Sequence, residues 1–227
     1  MRRKAELPDD YVPALGFDWL TSIYDPVVQL TTRDTLVKRN LIEHAGFDDG
    51  MKVLDLASGT GTLSIMIKQC ISSVDVNGVD GDPKILEIAK TKAREANVRV
   101  DFDNAMATSL PYRDSTFDRV VSTLFFHHLD RSAKCEALSE GFRVIKPGGR
   151  LVVGDWGKPT GPLMRLLFYS IQWLDGFETT RDNVEGRLPA MIQDAGFENV
   201  QTLESINTVF GTLALYSAEK RETSITP

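Results

Sequence analysis

A chain of 227 residues with 42% hydrophobic and 26% charged residues has the size and composition of one soluble globular domain. Its formal net charge of −6 argues against a nucleic-acid-binding surface, which is usually basic, and the cluster Arg2-Arg3-Lys4 reads as a solvated tail. No apolar stretch follows that cluster, so no secretory signal is expected. Cys70 and Cys135 fall in predicted helices without metal-ligand spacing, as in a reduced, cytoplasmic protein.

Residues 1–16 are polar, carry Pro8 and Pro13, and predict an irregular arm. A short aromatic helix over 17–24 is halted near Asp25-Pro26. A longer one over 32–45 follows, with Val37, Leu41 and Ala45 on its buried stripe and Gly46 as its cap. The apolar run Val53-Leu54-Asp55-Leu56 then predicts a central parallel strand that enters the turn Ala57-Ser58-Gly59-Thr60-Gly61-Thr62 and a helix. Such a turn points backbone N–H groups into the crevice above a sheet, which describes a nucleotide site; a helix-packing turn without ligand is the alternative. A dinucleotide fingerprint would need a third glycine where Ser64 stands.

A second strand over 74–79 ends at Asp80, placed to accept the ribose hydroxyls of an adenosine; a solvated strand-end acid is the plainer alternative. Asp82-Pro83 caps a helix over 83–96 with Ile85, Ile88, Ala89, Lys92 and Ala93 on its inner face. Strands over 98–103 and 117–124 follow. Next come a helix over 132–145 with Cys135, Leu138, Phe142 and Ile145 inward, capped by Asp130, and a fifth strand over 150–155. This alternation demands parallel strands with helices on both faces. The apolar segment 163–174 is too short to span a bilayer and predicts a lid over an apolar substrate, with a core helix or a membrane-surface helix as alternatives. A helix over 184–195 and strands over 200–206 and 209–217 complete the chain as an antiparallel edge hairpin.

The segments VLDLASGTGTLSI, VNGVDGDPKILEIAK, DNAMATSLPYRDSTFDRVVSTLFFHHL and FRVIKPGGRLVVGDWGKP resemble class I S-adenosylmethionine-dependent methyltransferases, in particular the ubiquinone/menaquinone-biosynthesis group. The resemblance runs through the whole chain. It implies an α/β, Rossmann-like three-layer sandwich with a mostly parallel seven-stranded sheet and an antiparallel C-terminal hairpin. It also implies one domain: 1–50 over the cofactor cleft, 51–155 as cofactor-binding core, 156–183 as lid and 184–227 as C-terminal helix and hairpin. The cofactor would be S-adenosyl-L-methionine, leaving as S-adenosyl-L-homocysteine. Gly59, Thr60 and Gly61 would embrace its methionine part, Asp80 would bind its ribose, Asn104 and Ala105 would meet its adenine and Thr123 would lie beneath, with Asp55, Ser58 and Gly81 as further cofactor-binding residues. Where the family commonly has an acid before that alanine, this chain has Asn104, with Asp103 one place earlier.

The acceptor would be a small apolar or aromatic metabolite, with peripheral membrane contact open and neither a transmembrane segment nor nucleic acid expected. Candidate pocket residues are Tyr24, His127, His128, Asp155, Trp156 and Phe168, with Arg33 as a further ligand contact. Tyr24 and Arg33 fit a packing aromatic and a surface cation equally well. Adjacent histidines suggest a metal, but consecutive side chains usually diverge, so no metal is expected. The alternative functions are a non-catalytic S-adenosylmethionine-binding protein and a nicotinamide-dependent reductase.

Overall fold

The computed structural model describes residues 33–222; the arm over 1–16, the helix over 17–24 and with them Tyr24 lie outside the described residues. Helix α1 (Asp34–Ala45) buries Val37, Leu41 and Ala45 at the expected fourfold spacing, and Gly46 ends it at φ 58°. The remaining elements in chain order are β1 (Lys52–Leu56), α2 (Thr62–Cys70), β2 (Asp75–Asp80), α3 (Pro83–Glu95), β3 (Asp101–Asn104), β4 (Phe117–Thr123) and α4 (Arg131–Val144). They continue with β5 (Ile145–Trp156), α5 (Pro162–Asp175), α6 (Phe177–Val184), α7 (Leu188–Asp194), β6 (Glu198–Asn207) and β7 (Thr212–Glu219).

The strands form one sheet in the order β3-β2-β1-β4-β5-β7-β6. The first five pair in parallel, whereas β7 runs antiparallel to both β5 and β6. Successive residues of a strand face opposite sides of the sheet, and both sides are covered here. Leu54, Val120 and Val153 therefore enter one core, with Leu138 of α4 and Ile192 of α7. Val53, Val121 and Val152 enter the other, with Leu41, Leu63, Phe168 and Ile171 from α1, α2 and α5. That two-sided burial is why the inner strands read as continuous apolar runs.

Several expectations are corrected. The helix expected over 184–195 is shorter, α7 over Leu188–Asp194, while Val184 ends the separate helix α6, with Gly186 at φ 72° between the two. On α3 the buried residues are Leu86, Ala89 and Ala93, while Ile88 is exposed. On α4 the inner face is turned by about one residue. Ala137, Leu138, Gly141 and Val144 are buried, Cys135 is exposed, and Ile145 already belongs to β5. The third strand starts at Asp101 rather than residue 98. Both expected caps form: Asp82 accepts from the Lys84 amide and Asp130 from the Ala133 amide. Among the described residues no helix is long and apolar enough to cross a membrane.

Candidate active site

The carboxyl ends of β1, β2 and β4 meet at the glycine turn, where the strand order changes direction; open α/β sheets bind ligands at such a point. Ala57, Gly59 and Gly61 all take left-handed backbone, at φ 57°, 53° and 75°. A side chain on Gly59 would meet nothing within 4 Å, so this residue faces open space. Gly61 is constrained from below instead. A Cβ there would lie 2.8 Å from the Phe102 ring and 3.0 Å from Ala89, so this glycine seats the turn on β3 and α3.

Asp80 ends β2 and clamps the turn. Its carboxylate accepts from the Gly59 amide at 2.9 Å and from the Asp82 amide at 3.0 Å. Burial pushes its carboxyl up from the ordinary value, and those backbone donors partly offset that rise. Beside it, Asn104 donates through Nδ2 to the carbonyls of Asp80 and Gly81 at 2.9 and 3.0 Å, and the Ala105 amide donates to Asp80 O at 3.1 Å. Asn104 thus has its amide nitrogen turned to the backbone, leaving its side-chain carbonyl oxygen without a hydrogen-bond partner among the described residues. Gly81 sits 2.8 Å (from a Cβ built there) from Met106 Sδ, so Met106 closes this corner.

At the other end of the turn, Asp55 is 1% exposed and accepts from Ser64 Oγ at 2.6 Å. Burial outweighs that hydrogen bond and raises its carboxyl to about 6. Ser58 Oγ is buried and has no hydrogen-bond partner among the described residues. Arg33 precedes α1 at φ 54°. Lys38 pairs with Asp34 at 2.6 Å, and its charge also acts on Asp55.

A second polar group follows β4. Thr123 ends that strand opposite Gly154 of β5, and a short 3-10 turn over Phe126–His128 is anchored by fully buried Phe126. His127 Nδ1 stands 2.7 Å from Asp155 Oδ1, and Asp155 also accepts from the Trp156 amide at 2.7 Å. Burial would raise the Asp155 carboxyl, but the His127 ring and these hydrogen bonds hold it below the ordinary range. The expected divergence of the two histidines does not occur. Their rings lie 3.9 Å apart, and both face Asp175 at the end of α5. Burial, reinforced by His127, pushes the His128 ring down to about 3.

Trp156 and Phe168 differ from the expectation that they border a pocket. They are 2% and 0% exposed and pack edge to face at 5.3 Å inside the core. The sequence reading also missed Asp175 and the hydrogen-bonding role of Ser64. Ser64 carried a signal, since it occupies the place of a third glycine; nothing in its sequence neighbourhood links Asp175 to residues 127 and 128.

The chain is similar in sequence and in fold to known proteins. A family model described as "Methyltransferase domain" matches residues 53–149. Over 204 residues the chain is 32% identical to the ubiquinone/menaquinone biosynthesis C-methyltransferase UbiE of Shewanella pealeana, covering 81% of this chain and 79% of that one. Among solved structures it is similar in fold to the S-adenosylmethionine-dependent methyltransferase SibL in its apo form. That match has a TM-score of 0.70 and 21% identity, and covers 83% of this chain and 55% of that one. It is also similar in fold to a Haemonchus contortus phosphoethanolamine N-methyltransferase 2 crystallised with S-adenosylhomocysteine. There the TM-score is 0.66 and the identity 16%, over 82% and 52% of the two chains. The chain belongs to the class I S-adenosylmethionine-dependent methyltransferases. Within them it is similar to the ubiquinone/menaquinone-biosynthesis group, and S-adenosylmethionine is its cofactor.

Proposed function

We propose that this enzyme methylates a small apolar or aromatic metabolite of quinone-like character, with ring carbon as the accepting atom. The observation that carries the apolar acceptor is the outer face of α5. Leu163, Leu166, Trp173 and Leu174 are all exposed on a helix that follows the carboxyl end of β5. Carbon as the accepting atom is supported by the C-methyltransferase relative that this chain matches over most of both lengths. The whole chain then acts as one domain, with residues 156–183 as the acceptor-side cover.

The residues present fit the cofactor. Gly59 faces open space, the Ser58 hydroxyl is buried and unsatisfied among the described residues, and Asp80 is fixed by two backbone donors. Asp80 would accept from the ribose hydroxyls. The free carbonyl of Asn104 and the Ala105 backbone would border the adenine, while Asp55, Ser58, Thr60 and Gly61 would border the methionine end above Thr123. When bound, the cofactor supplies an electrophilic methyl group on a sulfonium whose departure leaves a neutral thioether. The protein's contribution is to align the acceptor in line with that methyl and to keep water out. His127 and His128 supply the polar groups on the acceptor side, with buried Asp155 behind His127, and apolar side chains of α5 supply the dry wall.

Isotopically labelled S-adenosylmethionine, incubated with the full chain and a panel of hydroxylated quinols, catechols and aliphatic amines, tests this reading. Label is expected on ring carbon of a quinol, located by mass-spectrometric fragmentation. Transfer confined to the amines, or to oxygen, would overturn the acceptor assignment while leaving the enzyme class intact.

A further inference from the structure

Two histidines adjacent in sequence converge on one carboxylate, and a second carboxylate buttresses the first histidine from behind. His127 Nε2 lies 3.7 Å from Asp175 Oδ2, and His128 Nδ1 lies 3.9 Å from Asp175 Oδ1. One ligand atom from each of the three residues lies within 4.8 Å of the other two. These separations are too long for hydrogen bonds. They are close to the spacing of atoms that share one cation. Zinc bond lengths of about 2.0–2.2 Å to nitrogen and oxygen set neighbouring ligands about 3.3–3.5 Å apart, a few tenths of an ångström inside the observed gaps.

We propose that His127 Nε2, His128 Nδ1 and the Asp175 carboxylate bind a divalent cation of the zinc class, with Asp155 orienting His127. The hydrogen bond of 2.7 Å from His127 Nδ1 to Asp155 places the ring proton on Nδ1 and turns the Nε2 lone pair toward Asp175. Metal-bound histidines are held by a carboxylate in this way. Asp155 is itself fixed by the Trp156 amide, so the ring has one orientation. Imidazole nitrogen with carboxylate oxygen suits zinc rather than magnesium or calcium, which prefer oxygen alone. Charge agrees, since Asp155 and Asp175 together balance a dication. The Lys134 ammonium is engaged by the carbonyls of Leu129 and Thr179 and stands 3.8 Å from Asp182. Three protein ligands leave a fourth position for an acceptor oxygen. That use of the site rests on the proposed function, whereas binding of the ion does not.

The test is direct titration. Chelator-stripped full chain, in a C70S/C135S background to remove the exposed thiols, is titrated calorimetrically with Zn²⁺ and followed by visible absorption with Co²⁺. One equivalent is expected to bind, and the Co²⁺ form should show the intense bands of a low-coordinate nitrogen–oxygen site. His128→Ala and Asp175→Asn should each weaken binding at least tenfold, and Asp155→Asn by about 10–100-fold. Each variant's thermal shift with S-adenosylhomocysteine reports that the fold and the cofactor site are intact, so failure of the metal site is separable from failure of the methyltransferase reading. Absence of stoichiometric binding, or binding unchanged in either His128→Ala or Asp175→Asn, would overturn the proposal.

Discussion

The Asp80 carboxylate holds the Gly59 and Asp82 amides, and in the proposed function the same group accepts from the cofactor's ribose. A hydrogen bond to a charged acceptor contributes about 1.5–3 kcal/mol. Asp80→Ala is therefore expected to weaken S-adenosylhomocysteine binding at least tenfold by calorimetry, with an unchanged far-UV spectrum; equal affinity would remove its ribose role. Asp55 yields a prediction of opposite character. Burial lifts its folded value from 3.8 to about 6, so between these values the native state holds the proton more tightly than the unfolded chain. The associated stability is complete below pH 4 and is lost as pH rises through 6, on the order of 3 kcal/mol in total. Asp55→Asn should flatten that fall and unfold at higher denaturant than the parent at pH 7.5, with little difference at pH 4. Parallel curves at the two pH values would place the ionisation elsewhere. The positions of Ser58, in the turn, and Asp80, at the end of the neighbouring strand, were legible because a strand, a turn and a strand end fix them. Asp175 was not, because only tertiary packing of α5 brings it to the histidines.

The helix α5 separates two roles that its composition alone cannot. Its residues were recognisable as one apolar helix, but crowded apolar residues do not reveal which face turns inward. Phe168 is 0% exposed and touches Trp156, whereas Trp173 is 81% exposed. Removing a buried aromatic costs about 3–5 kcal/mol, so Phe168→Ala should lower the melting temperature by several degrees. Trp173→Ala should change stability by no more than about 0.5 kcal/mol and instead raise the acceptor's KM. Unchanged kinetics in Trp173→Ala would detach this face from the acceptor. The start of α7 was hidden for a related reason. Gly186 is compatible with a helix until its backbone takes φ 72°, which delays the helix to Leu188.

At the level of the molecule, the parallel sheet with helices on both faces was legible in the alternation of strand and helix, whereas the order of its strands was not, because crossovers between distant strands are set by tertiary packing. Membership of the methyltransferase family, not the strand order, predicts which ligand stabilises the protein. S-adenosylhomocysteine at 100 times its Kd should add about 2.7 kcal/mol, which for a domain of this size is about 5–10 °C in melting temperature. NADH at equal concentration should add nothing measurable. A comparable shift with NADH would point to a different nucleotide specificity.

The last strand in sequence order does not lie at the sheet's border. β7 is enclosed between β5 and β6, with Thr212 to Tyr216 buried without a break. A ribosome delivers this chain from its beginning, so β5 is translated long before its neighbour exists and β6 emerges with no strand to join. Until residues 212–219 are free, an apolar strand edge stays open, and such edges recruit other chains. Nascent chains arrested after Asn207 should therefore be digested readily by added protease, whereas those arrested well beyond Glu219 should resist it. Translation speed and chaperone supply near that point then govern yield, because one short strand closes the sheet.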